Sequence, residues 1–289
     1  FFVARLVEGL ALREAMGEAP VIYVLDGCTE GSAAALREAG LRPVINHANQ
    51  LSRWQEAGGG PCGLHIDTGM NRLGFRPEQA PPPFPGLALV MSHLACADDP
   101  ASPMNAQQRD AFAALRPRYP DALASLANSG GCFLGPDYGF DAVRPGISLW
   151  GGGPEGHPDP RIQPVATFSA PILQVRAVPQ GESVGYARGK VADQSLTVAT
   201  VGAGYADGVM RATSPAGQVF VAGSLRPILG RISMDALAVD VTGLDVAEGD
   251  PVELFGPNRP LDDAARDTGT LSYELLTSVG SRVDRPYTG

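Results

Sequence analysis

The hydrophobic pattern changes character once along the chain. Over the first half, short apolar runs alternate with segments of helical spacing. The runs at 1–4, 21–25, 43–46, 64–67, 87–93, 123–128 and 142–149 predict seven strands. Between them, residues 5–16 place Leu6, Val7 and Leu10 on one helical face. Residues 31–40 form a helix that ends at Gly40, a residue suited to a C-cap, and further helical segments fall near 50–56 and over 105–116. Alternating β and α units predict a parallel sheet. Most of the runs end in polar or special residues, namely Asn46, Asp67, His93, Asn128-Ser129 and Arg144. That is the end at which a (β/α)8 barrel carries its active site. Seven strands cannot close such a barrel. The chain opens Phe1-Phe2-Val3-Ala4 without a Met, which reads as a buried strand, so an eighth strand is expected ahead of it.

From about residue 162, short strand-like runs at 168–178, 196–201, 218–222, 227–229, 236–241 and 251–255 follow one another, separated by Gly, Asp and Pro turns. Helical spacing returns only at 272–279. The predicted fold is therefore α/β plus all-β. A TIM-type barrel over 1–161, lacking its first strand, precedes a C-terminal β domain over 162–289, the two joined through the loop 151–159.

Composition narrows the partners. Apolar residues at 44% and charged residues at 18% predict a packed core rather than disorder. A net charge of −9 with no basic, aromatic-interleaved patch argues against nucleic acid. No apolar run reaches the roughly 18 residues of a membrane helix. The cysteines Cys28, Cys62, Cys96 and Cys132 form no CxxC pair, as suits a reduced, cytoplasmic protein. No histidine pair stands at a metal-ligand spacing, so no metal site is expected. The basic residues are 21 arginines and one lysine, Lys190, so any lysine-dependent chemistry has a single candidate.

Several positions could carry chemistry, each with a plainer reading beside it. Arg72, in the segment His65–Gly74, lies just past a strand and could fork onto a carboxylate, or simply face solvent from a tight turn. Ser129 and the glycines beside Arg144 could cradle a phosphate, or form ordinary loops. Arg144 sits in an apolar run, where a buried charge needs partners. His93 is either a hydrogen-bonded packing residue or a catalyst. Tyr186 and Tyr205 stand in Gly-flanked turns, as partly buried aromatics or as functional phenols.

Taken in order, Phe2–Leu10 (FVARLVEGL), Asp67–Gly74 (DTGMNRLG), Ser92–Asp98 (SHLACAD), Asn128-Ser129, Val143–Gly153 (VRPGISLWGGG), Ser183–Tyr186 (SVGY), Gly204–Gly208 (GYADG) and Gly230–Asp235 (GRISMD) resemble alanine racemase. This is a family of fold-type III isomerases dependent on pyridoxal 5′-phosphate (PLP). The resemblance spans nearly the whole chain. It implies interconversion of L- and D-alanine through a PLP aldimine by two-base proton transfer, supplying D-alanine for peptidoglycan. It implies that Tyr186 is one of the two acid–base groups, supported by a chain through His93 and Arg144, and that Arg144 faces the pyridine nitrogen. Ser129, Gly146 and Ile147 match phosphate-contacting positions. Arg72 and Met234 match groups that hold the substrate carboxylate, and Tyr205 a tyrosine at the mouth of the site. In the family, Tyr186, Met234 and Tyr205 reach the site from a second subunit, which implies a head-to-tail homodimer.

The chain also departs from the family. The Schiff-base lysine belongs to the first barrel strand, which would precede Phe1, and Lys190 does not match it. The chain as it stands is therefore expected to lack the covalent cofactor link and to be inactive. His65 stands where many members carry a carbamylated lysine, and a phosphate-binding tyrosine is replaced near Ser281-Arg282-Val283. Two other readings stay open: a fold-type III racemase or decarboxylase acting on another amino acid, and a non-catalytic, ligand-binding relative.

Overall fold

The computed structural model describes residues 1–287. They divide into two compact units between Gly146 and Ile147.

In the first unit, strands and helices alternate as β1 (Phe2–Val3), α1 (Leu6–Met16), β2 (Tyr23–Val24), α2 (Ala33–Glu38), β3 (Arg42–Ile45), α3 (Ala48–Glu56), β4 (Cys62–His65), β5 (Leu87–Met91), α4 (Pro103–Leu115) and β6 (Leu123–Ser125). The strands pair in chain order, all parallel, into a half-barrel sheet. Side-chain alternation splits its two faces. Ile22, Val24, Ile45, Leu64, Val90 and Ala124 join the core that also takes in Leu36, Trp54 and Phe112 from the helices. Tyr23, Val44, Leu89 and Met91 pack together on the other face, with Phe2 stacked on Tyr23 at 5.1 Å between ring centroids.

Two expectations need correction here. The segment 142–149 is not a strand. It contributes one parallel bridge, Ser125 to Ala142, and then turns into a short 3-10 helix at Ile147–Trp150. Pro145 has no N–H to give a ladder, and Gly146 weakens what remains. Helix α1 does form, but Val7 and Leu10 point outward, 67% and 39% exposed. Its buried residue is Gly9, with Leu6 and Leu12 packed partly buried against the same core, and a Cβ added at Gly9 would stand 3.0 Å from Leu41. The lack of a side chain there lets the helix axis lie close to the sheet.

The second unit contains β7 (Phe168–Val178), β8 (Ser183–Val184), β9 (Lys190–Val191), β10 (Leu196–Val201), β11 (Gln218–Val221), β12 (Ser224–Leu229), β13 (Leu237–Asp240), β14 (Pro251–Phe255), α5 (Leu261–Thr268) and α6 (Ser272–Ser278). Strands β10, β13, β12, β11, β14 and β7 close into an antiparallel barrel, which leaves none of them an open edge. Its interior is filled by Ile172, Val201, Val219, Val239 and Val252 among others. The β8–β9 hairpin lies outside the barrel. Helix α5, which the spacing did not predict, begins after Pro260 with Asp262 and Asp263 in its first turn, where acidic side chains suit the helix dipole.

Candidate active site

In the first unit, chemistry gathers at the C-terminal ends of β3–β6. Arg144 reaches back from the segment after β6. Its guanidinium donates to Ser125 Oγ at 2.5 Å and to the carbonyls of Ser92 at 2.6 Å and Leu126 at 3.2 Å. Ser125 Oγ in turn donates to the Ala142 carbonyl. Among the described residues Arg144 makes no ion pair; oxygen dipoles and the Phe2 ring, 5.8 Å from its guanidinium carbon, surround the charge. Burial lowers its pKa to about 10, which still leaves it charged at neutral pH.

Arg144 also donates toward His93 Nδ1 at 3.4 Å. Burial first, and then Arg144, lower the His93 pKa to about 4, so the imidazole is neutral. With Nδ1 accepting, its proton sits on Nε2. That nitrogen lies 3.5 Å from Asn128 Nδ2. The backbone of His93 is pinned by Gln108 from α4, which donates to its carbonyl at 2.8 Å and accepts from the Ala95 N–H.

His65, at the end of β4, belongs to a second buried relay. Asn46 donates its amide to the Leu25 and Val44 carbonyls, which fixes Oδ1 as the acceptor facing His65 Nδ1 at 2.9 Å. His65 therefore carries its proton on Nδ1 and presents a bare Nε2. Burial is the main reason its pKa falls to about 4, and Arg144 lowers it further. Gln50 closes the relay by accepting from the Asn46 N–H and donating to the Asp26 carbonyl. Gly27, at φ +77°, makes room for it, since a Cβ there would lie 2.3 Å from Gln50 Oε1.

Arg72 rides on a loop organised by Asp67, whose carboxylate accepts the N–H groups of Gly69, Met70 and Asn71 at 2.7–2.9 Å. Its own side chain is exposed. Ser129 Oγ accepts the Gly146 N–H at 2.8 Å, which brings the two residues together. A Cβ on Gly146 would meet only that hydroxyl, at 4.0 Å.

Ile147 falls in the second unit, where its side chain packs into the barrel core. Tyr186, Tyr205 and Met234 lie on three loops of that unit, 70%, 45% and 52% exposed. The loops touch. The Tyr205 N–H donates to the Ser233 carbonyl and the Ala206 N–H to the Met234 carbonyl. Cβ atoms on Gly185 and Gly189 would stand 3.4 and 3.1 Å from Arg231 N. Ala187 and Arg188, directly after Tyr186, both hold positive φ, at 54° and 52°. Lys190 pairs with Asp193 at 3.1 Å on the β8–β9 hairpin and belongs to neither cluster.

The relatives decide the family. Residues 1–154 match the sequence model described as alanine racemase, N-terminal domain, and residues 165–287 the one described as alanine racemase, C-terminal domain. The chain belongs to the alanine racemase family. The catabolic alanine racemase of Mesorhizobium japonicum is 45% identical over all of this chain and 80% of its own length. The alanine racemase of Acidiphilium cryptum is 44% identical over 99% of this chain and 83% of its own. Among solved structures, the biosynthetic alanine racemase of Pseudomonas aeruginosa matches with a TM-score of 0.93 and 37% identity, covering 100% of this chain and 85% of its own. That of Bartonella henselae, solved with covalently bound pyridoxal phosphate, matches at 0.91 and 35%, covering 100% and 84%. The alanine racemase fold thus accounts for both the half-barrel sheet and the separate β unit. The expected site residues of this alanine racemase fall into two groups, one in each unit. Ser125, Gln50 and Gln108 are supporting residues that no local pattern marks, because their partners come from other strands and helices.

Proposed function

We propose that this alanine racemase interconverts L- and D-alanine with pyridoxal 5′-phosphate as cofactor, using Tyr186 as one of its two proton carriers. The observation that carries the reading is the Arg144–His93 pair, a permanent cation donating toward Nδ1 of a neutral imidazole. The donor set fits the cofactor's non-covalent parts. The Ser129 hydroxyl and the uncrowded Gly146 backbone beside it suit a phosphate, with the Ile147 backbone next in line, and Arg144 suits the ring nitrogen. Residues 1–146 contain no lysine, so this stretch holds no side-chain amine for a covalent link.

When bound, the cofactor supplies a conjugated ring that acidifies Cα of alanine. Arg144, being always charged, opposes protonation of the ring nitrogen and so restrains side reactions. A phenol titrates at about 10 in water, so Tyr186 Oη needs a donor to stabilise its deprotonated form. His93 Nε2–H, oriented by Arg144, is assigned that task. Tyr186 then takes or returns the proton at one face of Cα. Arg72 and Met234 hold the alanine carboxylate, and Tyr205 guards the mouth of the site. The strong exposure of Tyr186, Tyr205 and Met234 on their own unit supports a head-to-tail homodimer in which one subunit's barrel domain, 1–161, meets its partner's β domain, 162–289. The 161/162 boundary falls between the two family matches. Four free cysteines favour the cytoplasm. Among the described residues no helix is long and apolar enough to cross a membrane.

The test is isotope exchange. In the holoenzyme, Tyr186→Phe should abolish α-proton exchange with deuterated water from one enantiomer of alanine and spare it from the other. Equal retention from both would remove Tyr186 from the reaction.

A further inference from the structure

Arg282 follows the last helix of the second unit and is part of the segment where the phosphate-binding tyrosine is replaced. Its side chain spans two loops. Nε lies 2.8 Å from Asp207 Oδ1 and the terminal NH2 nitrogen 2.8 Å from Asp235 Oδ1. Asp207 stands two residues after Tyr205, and Asp235 directly follows Met234. Asp207 is already built into its loop, since its other oxygen accepts the Gly204 N–H at 2.8 Å. The tail is seated on the same loop by its backbone. The Gly280 N–H donates to the Asp207 carbonyl, and a Cβ on Gly208 would stand 2.4 Å from the Ser278 carbonyl. One guanidinium therefore reads the positions of two loops at once, and its planar fork fixes their spacing in a way that a lysine's single ammonium cannot.

We infer that Arg282 is a positioning residue for alanine racemisation, holding the Tyr205 and Met234 loops in register from the C-terminal tail. This rests on the assignment of Tyr205 and Met234 to the substrate-facing side. Arg282 touches neither substrate nor cofactor in this role. It acts through the two carboxylates.

Hydrogen exchange and steady-state kinetics on the holoenzyme test it together, using Arg282→Ala, Arg282→Lys and Asp235→Asn. In Arg282→Ala the backbone amides of Tyr205 and Ala206, which bond to the neighbouring loop, should exchange at least tenfold faster. KM for alanine should rise several-fold, with kcat reduced less than threefold and cofactor absorbance unchanged. Arg282→Lys should recover part of the protection at Tyr205 but not the KM, since it can satisfy only one carboxylate well. Asp235→Asn should loosen the Met234 loop while leaving the Asp207 side ordered. Faster exchange confined to residues after Ser278 would overturn the bridging role. Loosened loops with unchanged KM would overturn the functional role, and would leave the racemase assignment itself untouched.

Discussion

His65 and His93 are both kept neutral by burial and by the nearby Arg144 guanidinium, and this has a consequence for stability. Unfolded, each imidazole binds its proton near 6.5, whereas folded it does so only near 4. Between those values the unfolded chain holds more protons, so acid favours unfolding. Stability contributed by the pair is complete above about pH 6.5 and is lost as the pH falls toward 4, by on the order of 3 kcal/mol per histidine. Urea titrations at pH 7.5 and 4.5 check this, and the pH dependence should shrink in His65→Gln. Arg72 offers a separate handle. Its exposed side chain on the Asp67-organised loop makes Arg72→Ala structurally mild. Losing a charged contact to the alanine carboxylate should weaken binding by about 1.5–3 kcal/mol, with unaltered cofactor spectra. Arg144, His93 and Ser129 could be picked out because each ends or follows an apolar run. Their supporting residues could not. Asn46 meets His65 only because β3 and β4 pair with Ile45 opposite Leu64, a register that neither segment encodes alone.

The elements show where local pattern suffices. β7, β10 and β14 fall where alternation and turn residues place them, since a closed antiparallel barrel demands both from each strand. The outward Val7 and Leu10 of α1 show the opposite case. Several faces of a short apolar helix can serve as the buried one, and the choice was made by the close approach at Gly9. Close approach also sets a test within the first unit. Gly27→Ala combines a left-handed backbone with overlap onto Gln50 and Val44, and should destabilise by roughly 2–4 kcal/mol. Gly31 has a similar φ of +74° but nothing within 4 Å of an added Cβ, so Gly31→Ala should cost only about 1–2 kcal/mol. Thermal melts of the two variants separate backbone strain from steric overlap.

For the whole molecule, the division of site residues between two units makes a prediction about assembly. If each site joins one subunit's Arg144 to its partner's Tyr186, an inactive Arg144→Ala protein mixed with an inactive Tyr186→Phe protein should regain activity on subunit exchange. Random pairing makes half the dimers mixed, each with one intact site, so recovery should approach about a quarter of the unmutated level. Racemase assays after verified exchange decide the matter, and no recovery would place both residues of each site in a single chain.

The paired left-handed residues after Tyr186 bear on how far stability and precision can be improved together. Ala187 and Arg188 hold a conformation that glycine adopts without steric cost. Glycine at both positions would relieve the fold, yet it would also give the phenol a wider arc to explore. The positive φ of both residues limits the backbone conformations open to the loop that carries the phenol. Engineering for heat tolerance at this loop should raise the melting temperature and lower turnover in the same variants.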